Sequence, residues 1–208
     1  MVTAQELLWL LKRQVKMDKP VVKHENPFKV LISTVISQRT RDENTAKASG
    51  KLFSKYSTPQ ELSEAPVEVI ENLIKNSGYF RVKANYVKKI SEMIVRDFGG
   101  VTPSTVDELL VLPGVGRKTA NCVLVYGFEK PAIPVDVHVH RISNRIGIIK
   151  TETPDDSEVA LEKFLPEKYW IEINQLMVRH GQQTCLPRNP KCSVCLLERK
   201  CVYGRNQK

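Results

Sequence analysis

Four cysteines fall within 17 residues near one end of the chain, spaced Cys185-x6-Cys192-x2-Cys195-x5-Cys201. Clustered thiols of this kind point to a metal centre rather than to disulfides. Structural zinc commonly uses two close CxxC pairs. Here one pair is close and the outer two cysteines are distant, which fits wrapping around a larger object such as a [4Fe–4S] cluster. Spacing alone leaves zinc open. From Cys185 onward the basic residues Arg188, Lys191, Arg199, Lys200, Arg205 and Lys208 face a single acid, Glu198. A metal there would shape a basic loop suited to a phosphate backbone, and Arg188 and Lys191 are candidate contacts. The fifth cysteine, Cys122, lies in the apolar run NCVLVYG and reads as a small core residue.

A second group lies in the middle of the chain, in LPGVGRKTA, residues 112–120. Two glycines interrupt a helical pattern and a basic pair follows. The spacing predicts a tight hairpin between two helices. Gly114 and Gly116 are expected to adopt backbone angles closed to other residues and to let a partner approach the main chain. The amides of Gly114, Val115, Gly116 and Arg117, with those of the next helix, would form an anion site for a DNA phosphate. Lys118 falls in the first helical turn, where the dipole disfavours positive charge. A neutral amine is what Schiff-base chemistry requires, whereas a charged one contacts phosphate. Asp136, in PAIPVDVHVHR, is an N-cap for the helix that follows, and its apolar setting also suits a carboxylate that moves protons or steadies a cation. His138, Arg141 and Arg145 share the polar face of that helix, open to phosphate or to solvent.

The elements that must position these groups are helical. Asn26-Pro27 reads as an N-cap with proline at the first helical position, and Phe28, Leu31, Ile32, Val35 and Ile36 then mark one buried face. Asp42 is placed as the next cap. Thr58 to Glu61 spells a capping box. Val82, Tyr86, Val87, Ile90, Met93, Ile94 and Phe98 form a long stripe closed by Gly99-Gly100. Thr102-Pro103 is expected to open the helix leading into the hairpin. No strand pattern competes with helical spacing, and about ten helices are expected in an all-α protein.

The chain of 208 residues carries a net charge of +9. Such a basic balance favours a polyanionic partner. No apolar run reaches the ~20 residues of a membrane span, and the N-terminus lacks the features of a secretory signal. The expectation is an intracellular, cytoplasmic protein without a membrane.

Taken together and in order, LPGVGRKTA, VDVHVHR and C-x6-C-x2-C-x5-C resemble the endonuclease III family, bifunctional DNA glycosylase/AP lyases of the helix-hairpin-helix glycosylase superfamily. The resemblance runs from about Asn26 to Cys201. It implies two helical lobes: a six-helix barrel carrying the hairpin over 21–130, and a lobe joining 1–20 to 131–208 around a [4Fe–4S] cluster on Cys185, Cys192, Cys195 and Cys201. It implies a monomer on double-stranded DNA that contains damaged bases or abasic sites, with the damaged nucleotide flipped out. Lys118 falls on the family's nucleophile and Asp136 on its catalytic carboxylate. The implied reaction removes oxidised pyrimidines of the thymine glycol type and then cleaves the strand by β-elimination.

This sequence departs from the family pattern where the family fills the gap left by the extruded base. Arg39, with Gln38 beside it, takes the place of a glutamine, and Tyr79 follows Gly78 where a leucine is frequent. His138 completes the candidate DNA contacts. Mismatch-specific thymine/uracil relatives share the cluster but usually lack the lysine, so Lys118 favours lyase activity; a monofunctional uracil/thymine mismatch glycosylase is the second reading. The third is a non-catalytic iron–sulfur DNA-binding protein.

Overall fold

The structure, a computed structural model, describes residues 2–16 and 26–206. Twelve α-helices and no strand occur among the described residues. In chain order they are α1 (Ala4–Gln14), α2 (Pro27–Ser37), α3 (Asp42–Lys55), α4 (Pro59–Glu64), α5 (Val67–Ile74), α6 (Phe80–Phe98), α7 (Val106–Leu110), α8 (Arg117–Phe128), α9 (Val137–Ile146), α10 (Pro154–Phe164), α11 (Trp170–Gln183) and α12 (Val202–Arg205). They divide into two compact units, His24–Lys130 and a second that joins Met1–Lys23 to Pro131–Lys208.

The unit His24–Lys130 is built around α2. The Asn26 side chain accepts from the Phe28 amide at 2.9 Å, and Pro27 sits at the first helical position where a missing N–H costs nothing. The helix then buries Phe28, Leu31, Ile32, Val35 and Ile36, and packs on α8, α3 and α6. A Cβ on Gly127 would come within 2.9 Å of the Pro27 Cα, so the end of α8 and the start of α2 meet at backbone distance. The Thr58–Glu61 capping box forms at the head of α4. Gly99, at φ 60°, closes α6.

Three local expectations are corrected. α3 has Arg41 at its N-cap with no side-chain cap bond, and Asp42 is already inside the first turn. α7 begins at Val106, because Thr105 rather than Thr102 accepts the Glu108 amide. On α6, Val82 points outward while Lys83 is buried, so the stripe turns by one residue at its first turn.

In the other unit α9 is central, packed on α10, α11 and α12, with α1 against α11. Leu7, Leu11, Ile133, Val139, Ile142, Leu161, Ile173 and Met177 form its core, and Cys185, Cys195 and Cys201 pack against that core half-buried. Beyond α11 regular helix gives way to two 3₁₀ turns, Cys192–Val194 and Glu198–Lys200, before α12. Gln14 at the end of α1 accepts from the Leu196 amide at 2.7 Å, and Glu6 pairs with Lys200 at 3.2 Å. Both contacts fasten this cysteine segment to the first helix.

Candidate functional site

The hairpin between α7 and α8 hangs from two apolar anchors, Leu112 and Val115, both buried. The Leu112 carbonyl accepts from the Val115 amide at 3.2 Å and closes the turn. Gly114 sits at φ +74°, and a Cβ there would lie 2.5 Å from Tyr86 Cδ2. Both the left-handed backbone and the ring demand glycine. Gly116 differs from expectation: at φ −100° and ψ 177° it is extended, open to any residue, and an added Cβ would meet nothing within 4 Å. What Gly116 contributes is a bare, exposed N-cap. α8 has no side-chain cap bond, since its N-cap residue is a glycine. Val115 differs from expectation as well: its side chain is buried and its amide is spent on the turn bond to Leu112. Arg117 and Lys118 follow as the first two residues of α8, Arg117 half-buried and Lys118 exposed.

Gln38 is turned inward. Its Nε2 donates to the Gly114 carbonyl at 2.8 Å and lies 3.4 Å from Thr119 Oγ1, bracing the hairpin from the end of α2. Next to it, Arg39 and Tyr79 are both exposed, both left-handed at φ 50° and 56°, and the Arg39 guanidinium lies 5.7 Å from the Tyr79 ring centre. Left-handed backbone at a non-glycine residue costs about 1–2 kcal/mol. Beneath them is a group that sequence reasoning missed. Lys83 Nζ is buried and donates to the Ile36 carbonyl at 2.7 Å, the Gln38 carbonyl at 2.5 Å and Thr40 Oγ1 at 2.8 Å. Burial pulls its ammonium down to about 8.

In the second unit Asp136 caps α9. Its Oδ1 accepts from the amides of His138 and Val139 at 2.8 and 2.9 Å. Both cap bonds use one oxygen, which leaves Oδ2 outside the cap. His138 packs on Gly181, where a Cβ would lie 2.4 Å from its Nδ1, and that nitrogen is 3.1 Å from Arg141 Nη2. Arg141 and Arg145 are half-buried, and both tie down the cysteine segment. Arg141 donates to the Cys185 carbonyl at 2.9 Å, and Arg145 to the Leu186 and Pro187 carbonyls at 2.7 and 2.9 Å. Arg145 also stacks over Tyr203, 4.5 Å from the ring centre. Burial lowers the Arg141 guanidinium from its ordinary value.

Cys185, Cys192, Cys195 and Cys201 line one pocket, partly open to solvent, together with Arg145 and His180. Among the described residues these four form no disulfide, and no three Cys, His, Asp or Glu side chains converge closely enough to hold a single ion. Burial pushes the Cys195 thiol up to about 11 and raises Cys192 and Cys201, with the neighbouring cysteines adding to it. Cys195 Sγ lies 3.9 Å from Nε2 of the buried His180, which desolvation lowers to about 4. His180 Nδ1 is buried and has no hydrogen-bond partner among the described residues. Arg188 and Lys191 stand exposed on the segment that carries Cys185 and Cys192, and Cys122 is buried in α8. No helix among the described residues is long and apolar enough to cross a membrane.

Comparison with known proteins gives these features a family. The family described as "HhH-GPD superfamily base excision DNA repair protein" matches residues 32–167. Endonuclease III of Thermotoga maritima is 56% identical over 89% of this chain and 87% of its own length. Among solved structures, a trapped covalent intermediate of endonuclease III with DNA, an estranged-adenine complex, is similar at TM-score 0.89 and 34% identity, covering 100% of this chain and 99% of that one. A thermostable thymine-DNA glycosylase is similar at TM-score 0.86 and 26% identity, over 98% and 97% of the two chains. The chain belongs to the endonuclease III family, base excision repair DNA glycosylases of the HhH-GPD superfamily.

Proposed function

We propose that this glycosylase removes oxidised pyrimidines of the thymine glycol type from double-stranded DNA and cuts the strand through a Schiff base on Lys118. The observation that carries the reading is the placement of Lys118: exposed, at the second position of an uncapped, glycine-headed helix in the hairpin. The bare main chain around Gly116 suits a phosphate held without regard to base sequence. The neighbouring amine is then aimed at the sugar of the nucleotide so held.

The neutral Lys118 amine attacks C1′ of the flipped nucleotide, the glycosidic bond breaks, and the base leaves with a proton. The sugar ring opens as the nitrogen forms a Schiff base. The Schiff base acidifies C2′–H; loss of that proton expels the 3′ oxygen and breaks the strand. Asp136 steadies the developing sugar cation and assists the proton transfers, with Oδ2 the oxygen its capping role leaves over. The 21–130 and 1–20/131–208 division serves this reading as a hairpin-bearing barrel and a cluster lobe. The intracellular setting, beside chromosomal DNA, belongs to the same reading.

The four cysteines fit a [4Fe–4S] cluster. Their thiols line one cavity without converging on a single-ion site, which a larger metal core held by four thiolates would satisfy. Cys185, Cys192, Cys195 and Cys201 would hold it, and when bound it supplies a structural tie across a segment short of regular secondary structure. Arg188, Lys191 and Arg117 then present charge to the DNA backbone, and the Gly114 amide is a further donor. Arg39 and Tyr79 form the lip toward the vacated base position, Gln38 braces the hairpin behind them, and His138 is the remaining contact.

The similarity to a thymine-DNA glycosylase supports a second reading, a monofunctional mismatch enzyme. One panel separates the two: duplexes carrying thymine glycol, an abasic site, U:G, T:G or no lesion, run with and without hot alkali. Alkali-independent cleavage of the thymine glycol and abasic duplexes supports the bifunctional reading. Alkali-dependent cleavage confined to U:G or T:G overturns it.

A further inference from the structure

A buried lysine with no reaction to perform needs another reason to be there, because moving an ammonium out of water is unfavourable unless its donors are met. Lys83 meets all of them. An ammonium has three N–H donors, and Lys83 spends them on the Ile36 carbonyl, the Gln38 carbonyl and Thr40 Oγ1. The two carbonyls lie at the C-terminal end of α2, where orphan acceptors and the negative end of the dipole favour a cation.

The third acceptor links a second turn. Thr40 Oγ1 also receives the Gly78 amide at 3.1 Å, and a Cβ on Gly78 would stand 2.8 Å from the Arg39 carbonyl. The turn that carries Arg39 and the turn that carries Tyr79 are therefore joined at backbone distance, with Lys83 underneath both. Each exposes one non-glycine residue in left-handed backbone, at φ 50° and 56°. Such conformations persist only where the surroundings over-determine them. The flanking Gln38 side chain carries the same network to the hairpin through the Gly114 carbonyl.

We propose that Lys83 is a positioning residue that holds Arg39 and Tyr79 in the strained poses from which they engage DNA at the lesion. The proposal rests on the functional reading above for what the lip touches, but the locking of the two turns does not depend on it. A compact ammonium with three donors is required, since a methionine of similar length satisfies none of the three acceptors and arginine's planar fork does not match three acceptors grouped round one point.

The test uses the full chain with its metal content intact, as wild type, Lys83→Met and Arg39→Ala/Tyr79→Ala, and the triple combination. Amide hydrogen exchange in the free protein is read over residues 36–40 and 77–80. Lys83→Met should speed it at least tenfold there and leave α8 unchanged. On a thymine glycol duplex the same variant should raise KM about tenfold while single-turnover cleavage at saturation stays within threefold. That KM effect should vanish in the Arg39→Ala/Tyr79→Ala background, which a general loss of stability would not produce. If Lys83→Met does not fold, Thr40→Val removes the shared acceptor and should speed exchange at 77–80. Unchanged exchange in the folded variant, or a KM effect that persists without Arg39 and Tyr79, overturns the proposal. Faster exchange in a protein whose wild type ignores the lesion would uphold the locking and overturn the functional reading instead.

Discussion

Replacing Gly114 by alanine should damage the fold, and the same change two residues later should not. At Gly114 the backbone has φ +74°, and the new Cβ would stand 2.5, 2.8 and 3.0 Å from three atoms of the Tyr86 ring. The left-handed conformation costs alanine about 1–2 kcal/mol. Forcing the half-buried ring aside adds about 1–3 kcal/mol. A total of about 2–5 kcal/mol corresponds, at about 2–4 °C per kcal/mol for a chain this size, to a melting point lowered by roughly 4–20 °C. Gly116→Ala meets no atom and no strain; losing a favourable N-cap costs at most about 1 kcal/mol. Its effect should fall on DNA instead, with a methyl group set where the phosphate approaches. Thermal melting and urea unfolding measure the first effect, and anisotropy with a duplex containing an abasic analogue measures the second. In a Tyr86→Ala background the clash disappears and only the backbone strain of about 1–2 kcal/mol should remain. Gly114→Ala melting with wild type, or Gly116→Ala costing as much as Gly114→Ala, would refute this reasoning.

Asp136→Asn keeps an N-cap residue of equal quality, so stability should hold while turnover on a thymine glycol duplex falls about 100-fold; full activity would reduce Asp136 to its cap. Lys83 supplies a pH test. Its native value of about 8 lies below the ordinary 10.5, so between those values the unfolded chain binds the proton that the folded chain has released. Stability relative to Lys83→Met should therefore rise as pH increases through that window. A urea-midpoint difference that falls instead would mean that the three acceptors favour the ammonium more than burial disfavours it. Cys192→Ser should lose the broad visible absorbance of an iron–sulfur protein together with soluble yield, and a colourless, stable, active variant would contradict the cluster assignment.

What the sequence made legible was local. Asn26-Pro27, the Thr58–Glu61 box and the Asp136 cap each declare themselves within four residues, and each forms. Gly114 is legible because two glycines in an apolar setting announce a turn. Gly116 is not, because the same letter serves two purposes, conformational freedom at one position and absence of a side chain at the other. Arg141 and Arg145 look like a solvated helix face because their acceptors, in the segment 185–187, lie some forty positions away. Lys83 was hidden for the same reason. Its partners are 43 to 47 residues upstream, and the apolar Val82 beside it is the better core candidate by letter alone. Helix starts depend on which of several threonines takes the cap, and Thr105 took α7 where Thr102-Pro103 also fits the pattern.

Everything proposed for the reaction turns on Lys118 joining covalently to the sugar it attacks. Borohydride reduction during reaction with a thymine glycol duplex, with wild type beside Lys118→Ala, tests it directly. Wild type should give a stable protein–DNA adduct and Lys118→Ala none, with lesion binding retained in the variant. An equal adduct with Lys118→Ala would assign the nucleophile elsewhere. No adduct with wild type, alongside alkali-sensitive sites at U:G or T:G, would make the protein a monofunctional mismatch glycosylase and Lys118 a phosphate contact.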